Sequence, residues 1–123
     1  MPLDDGARLH HMLESARITA KFIRGRRRSD LDDDQMLLFA LVRALEIIGE
    51  AAGQVSPQGK AMLPNIRWAD FVRMRNRLIH AYFRININVV WNTAINDVPV
   101  LIAELESFLA ANSTTTDKEE GGT

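Results

Sequence analysis

No cysteine occurs among the 123 residues, which excludes disulfides, thiolate nucleophiles and Cys-ligated zinc. No apolar run exceeds the seven residues of Met36–Val42, whereas a membrane-spanning helix needs about 20. Residues 1–8 include two aspartates and lack the apolar core of a secretory signal. The expectation is therefore a soluble, cytoplasmic protein of a reducing compartment, with no membrane partner. An excess of basic residues is missing too. Lys and Arg number 15 against 16 Asp and Glu, and taken alone the net charge of −1 argues against a nucleic-acid partner.

The charge that is present is sorted along the chain. Residues 4–28 hold seven basic residues (Arg8, Arg17, Lys21, Arg24, Arg26, Arg27, Arg28) and three acids. Residues 67–84 hold five arginines and only Asp70, a net +4, while residues 85–123 sum to −5. A near-zero total built from opposed blocks says nothing about any one surface, so a nucleic-acid face stays open.

Hydrophobic spacing is helical throughout. Leu9, Met12, Leu13, Ala16, Ala20 and Ile23 follow the i, i+3, i+4, i+7 pattern and predict a helix over about residues 4–27, ending in the Arg24–Arg28 cluster. Ser29–Asp34 is rich in N-cap residues and leads into a second helix, about residues 33–55, apolar on nearly every side and so central. Gly49 within it costs about 1 kcal/mol relative to Ala, a cost that close approach of another helix would offset. Ser56-Pro57 predicts a short helix to about Met62, and Asn65 or Arg67 begins the next, which runs to about Tyr82. Asn86 caps a last helix, which Pro99 should kink or restart with Asp97 as a new cap. The predicted fold is all-α, a compact up-down bundle of four to five helices over residues 1–111, followed by a disordered acidic tail at residues 112–123.

The chemistry concentrates in Trp68–Phe83. At 100° per residue, Phe71, Met74, Leu78, Ala81 and Tyr82 form a core arc, and Arg73, Asn76, Arg77, His80 and Arg84 form a polar one. Val72, Ile79 and Phe83 lie between, an apolar stripe suited to a second copy of the chain. Cations beside His80 favour its neutral form, a base, and an arginine can hold charge developing on a phosphate. The same residues also suit a cap and a solvated arginine row.

Arg75-Asn76-Arg77-Leu78-Ile79-His80-Ala81-Tyr82 resembles the R-x-x-x-x-H-x-Y motif of HepT-like toxins, a branch of the all-helical HEPN ribonucleases. Leu45–Ala52, the Pro64–Trp68 lead-in, Val90-Trp91 and Asp97-Val98-Pro99 resemble the family in order and spacing, across roughly residues 9–109. The resemblance implies a metal-independent endoribonuclease toxin without a cofactor, with Arg75 and His80 catalytic and Asn76 supporting them. It implies a homodimer, two motif helices lining one cleft, because Arg75 and His80 stand about 140° apart on an ideal helix. It further implies a minimal nucleotidyltransferase antitoxin, in a larger hetero-oligomer, that transfers AMP onto Tyr82.

Around these residues, Arg73, Arg77 and Arg84 are candidate RNA contacts, and Glu50 a candidate partner that holds Arg75 or Arg77. Asp32-Asp33-Asp34 suits capping better than metal binding, because consecutive helical carboxylates point apart. His10-His11 reads as helix surface. Arg24–Arg28 either extends an RNA track or is a solvated helix end. The rival reading is a non-catalytic RNA- or nucleotide-binding subunit of a nucleotidyltransferase.

Overall fold

The structure, a computed structural model, describes the backbone of residues 3–80 and 85–121 and the side chains of residues 5–80 and 85–112. The chain is all-α, with no strand among the described residues. Four long elements form the bundle: α1 (Leu3–Ile23), α3 (Gln35–Gln54), α5 (Trp68–Ile79), and a rod made of α6 (Ile87–Asn92), a π segment (Thr93–Asp97) and α7 (Val98–Gly121). The short helices α2 (Asp30–Asp33) and α4 (Pro57–Ala61) lie in the connections.

Local chemistry sets the boundaries. α1 closes where Gly25 takes φ +73°, a left-handed turn that glycine adopts without penalty. The acidic run behaves as a set of caps, not a cluster. Asp30 accepts from the Arg27 amide at 2.7 Å, Asp32 pairs with Arg28 at 2.6 Å, and Asp34 caps α3 by accepting from Leu37 N at 3.0 Å. Ser56 caps α4 ahead of Pro57, and Asn86 caps α6 by accepting from Val89 N at 3.1 Å.

Pro99 neither kinks nor restarts the last helix, and Asp97 is not a new cap. Instead the rod widens into the π segment, where Val98 N donates to Thr93 O, and then continues. Proline has no N–H for the carbonyl of Ile95, and the wider turn absorbs that loss without breaking the rod. The expected tail falls at residues whose side chains lie outside the described ones, apart from Asn112.

The core runs along α3, which packs on α1 and α5, while α1 also packs on α7. Leu38, Leu41, Leu45 and Ile48 of α3 meet Leu9 and Met12 of α1, Phe71, Met74 and Leu78 of α5, and Val90, Val98, Leu101 and Leu105 of the rod. Burial of each such side chain contributes about 1.5–3 kcal/mol. Among the described residues, no helix is long and apolar enough to cross a membrane.

A second anchor was not foreseen from the sequence. Asp5 is 2% exposed and accepts from the Ser56 amide at 2.9 Å and from the Ser56 hydroxyl, which in turn accepts from Gly59 N at 3.1 Å. Hydrogen bonds from the Ser56 hydroxyl and amide hold the Asp5 carboxyl below the usual carboxylate range, with Arg8 adding to the effect. The first turn of α1 is thereby tied to the start of α4.

Candidate active site

The contact between α3 and α5 begins at Gly49. A Cβ there would lie 2.7 Å from Phe71 O and closer still to the Arg75 Cβ, so only glycine lets the two backbones meet at this distance. Gly53, one turn on, faces Val72. This is the compensation that a glycine inside a buried helix calls for.

The approach sets where Arg75 stands. Its aliphatic stem lies on Gly49, its Nε is buried without a hydrogen-bond partner among the described residues, and its terminal nitrogens emerge at the surface. There Nη2 stands 3.6 Å from Glu50 Oε1, and Nη1 donates to Asn76 Oδ1 at 3.1 Å. Glu50 therefore pairs with Arg75. The sequence offered both Arg75 and Arg77 for that role, and the helix approach selects Arg75.

Arg43 also belongs here, and sequence reasoning passed over it. Its Nη1 lies 3.7 Å from Glu46 and 4.0 Å from Glu50. The available signal was its spacing, seven residues before Glu50 and so on the same side of α3. The Glu50 carboxylate is thus shared between two guanidinium groups at distances longer than a direct hydrogen bond.

The remaining motif residues fall on two sides of α5. Phe71, Met74 and Leu78 are buried, while Arg73, Asn76, Arg77 and His80 are exposed. Val72 is half-buried against the chain's own core, so it is covered in part by α3, and Ile79 is half-buried. His80 follows the last turn of α5 at φ −99° and ψ 0°, and its imidazole makes no hydrogen bond with any described residue. Arg73 pairs with Asp70, which Arg67 also approaches at 3.8 Å, and Arg77 has no partner among the described residues. Tyr82 and Arg84, with Ala81 and Phe83, lie outside the described residues.

Beside this face a cleft of about 220 Å³ is lined by Asp70, Arg73 and Arg77 of α5 and by Val89, Thr93 and Asp97 of the rod. Burial pushes the Asp97 carboxyl above its usual range against the pull of Arg67, and the charge of Asp70 adds to the rise. His10 and His11 are exposed on α1, and no group of three metal-ligating side chains occurs among the described residues.

This arrangement can bind an anion and move a proton. Arg75 presents charged donors from a fixed stem, and His80, just past the end of α5, offers an imidazole with no hydrogen bond to any described residue, so a group that can hold anionic charge and one that can move a proton come from one short stretch of chain.

Comparison with known proteins points the same way. The profile of the family described as "Ribonuclease HepT-like" matches residues 12–108. The "Probable ribonuclease HepT" of Thermococcus cleftensis is 38% identical over 100 residues, covering 81% of this chain and 91% of that protein. The "Putative RNase MJ1380" of Methanocaldococcus jannaschii is 36% identical over 103 residues, covering 84% of this chain and 94% of that protein. No solved structure shows a significant match.

Proposed function

The chain belongs to the HepT-like ribonuclease family and is accordingly an endoribonuclease, and from that premise we propose how it cuts RNA and how it is restrained. The reading rests on one observation. Arg75 is fixed by the Gly49 contact with its charged end at the surface, and His80, which follows the last turn of the same helix, makes no hydrogen bond with any described residue. In the proposed reaction, neutral His80 takes the proton of a ribose 2′-hydroxyl. The freed oxygen attacks the adjacent phosphorus, and Arg75 holds the charge that grows on the phosphoryl oxygens. Asn76 steadies the guanidinium through the bond it accepts from Nη1. The departing 5′-oxygen needs a proton, which the His80 of a second copy supplies across a homodimer cleft. Histidine and arginine then carry both proton transfers and the charge, and no metal takes part.

Arg73 and Arg77 contact the RNA backbone in this proposal, as does Arg84. Glu50 loosely restrains Arg75 until phosphate arrives. The proposed role is the toxin of a toxin–antitoxin pair, silenced when a minimal nucleotidyltransferase antitoxin moves AMP onto Tyr82.

The test is cleavage of labelled RNA by the purified chain with chelator present. His80→Ala or Arg75→Ala should lower the rate by at least about 100-fold. A His80→Ala protein that cuts as fast as the parent excludes the mechanism. Intact mass after co-expression with the nucleotidyltransferase should rise by whole AMP units, and Tyr82→Phe should abolish the gain.

A further inference from the structure

Arg24, Arg26, Arg27 and Arg28 sit between α1 and α2, at the far end of the sequence from the motif helix. Four carboxylates follow, Asp30, Asp32, Asp33 and Asp34, which balance the four arginines in total charge, but only the Arg28 guanidinium is paired with one of them. Asp30 is occupied by the Arg27 amide, Asp34 by the α3 cap, and Asp32 by Arg28. The side chains of Arg24, Arg26 and Arg27 make no hydrogen bond or ion pair with any described residue. A helix C-terminus gains from one or two cations in its last turn, but this cluster extends past the end of α1.

Arg28 fixes where the cluster lies. Its Nε donates to Asn88 Oδ1 at 2.7 Å, which docks the loop on the first turn of α6. The next residue, Val89, lines the cleft together with Arg73 and Arg77 of the motif helix. The connection that carries one arginine group and the cleft that carries the other therefore both touch the first turn of α6. α6 itself, Ile-Asn-Val-Val-Trp-Asn, carries no charge that would repel a polyanion. The acids of the cleft are Asp70, which is paired with Arg73, and Asp97, set at the other end of the π segment.

We propose that α6 is the floor of a second RNA-backbone site, in which the Arg24–Arg28 loop holds single-stranded RNA that has passed over Arg77 from the cleavage centre. This rests on the ribonuclease reading. It adds that substrate affinity grows with RNA length beyond the cut, through phosphate contacts made by Arg24, Arg26 and Arg27.

The experiment measures binding of labelled single-stranded oligonucleotides of increasing length to full-length His80→Ala protein over a range of salt. Binding by the parent loop should strengthen with length. Replacing Arg24, Arg26 and Arg27 together by Gln should remove that length dependence and flatten the log–log salt slope by about 2, at ~0.7 per single-strand phosphate contact. The corresponding triple Lys protein should restore both, which separates loss of charge from loss of fold. An unchanged slope and length dependence in the Gln protein overturns the proposal and leaves the ribonuclease reading standing. If the parent-loop protein binds no RNA at any length, both readings fail together. If the Gln loop binds RNA as before but loses a protein partner, the cluster belongs to that partner and the proposal falls.

Discussion

Two carboxylates, Asp5 and Glu50, each receive donors from a neighbouring element, and they are held very differently. Asp5 is buried and accepts hydrogen bonds from the hydroxyl and amide of one residue, so its charge is satisfied by groups that have no other place to go. Glu50 is half-exposed and stands 3.6 Å from Arg75 and 4.0 Å from Arg43, close enough to attract but not to lock. Half-exposed ion pairs of this kind contribute about 0–1 kcal/mol. The first carboxylate holds structure. The second leaves Arg75 free to exchange it for a phosphate at little cost, which suits a group that must bind and release substrate.

That contrast can be broken experimentally, and the largest effect should come from the residue beneath Arg75. Gly49→Ala gains about 1 kcal/mol in helix propensity but forces a methyl group onto Phe71 O and the Arg75 stem. Overpacking costs of about 1–3 kcal/mol should outweigh the gain, lowering thermal stability and, because Arg75 is displaced, cleavage as well. An alanine protein of parental stability would mean that α3 and α5 separate freely.

Glu50→Gln should slow cleavage by up to about fivefold, the equivalent of ~1 kcal/mol in the transition state, while leaving the melting temperature within a degree or two. A large stability loss with unchanged cleavage would make Glu50 a structural group like Asp5. Ser56→Ala should do the reverse: it removes a cap and a partner of Asp5, costs about 1 kcal/mol of stability, and leaves cleavage per folded molecule unaltered.

The smallest effect is on pH. Asp5 titrates lower in the folded chain than its ordinary 3.8, so its contribution is complete above that value and is lost as pH falls below it. Asp97 titrates higher when folded than when unfolded, so its effect has the opposite sign, and stability declines as pH rises from 3.8 through its folded value. Melting temperatures between pH 2 and 6 should therefore show a weakened acid limb in Asp5→Asn and a weakened decline in Asp97→Asn.

Features written in local spacing were legible in the sequence. The long helices, a cap within Ser29–Asp34, the caps at Ser56 and Asn86, the core face Phe71–Met74–Leu78, and the need for a close neighbour at Gly49 all follow from residues a few positions apart, whereas the short helix α2 was not foreseen. The Glu50–Arg75 pair could be narrowed only to two arginines, because choosing between them requires the rotation of α5 against α3. Arg43 was missed because the apolar run around it drew attention to the buried side of α3. Asp5 with Ser56, 51 residues away, had no local signature at all. The π segment was also missed, although the buried positions Val90, Ala94 and Val98 recur every four residues and would drift about 80° around an ideal α-helix.

That drift gives the π segment a further meaning. A turn closed by five residues stores one residue more than an α-turn needs, and it does so between Val90 and Leu101, both in the core. Removing exposed Asn96 would close the π turn and leave Pro99 inside a regular α-helix, where its ring meets the carbonyl four residues before it and the rod should kink. The segment acts as a slack link, its spare residue letting a proline sit inside a rod that stays packed on the core.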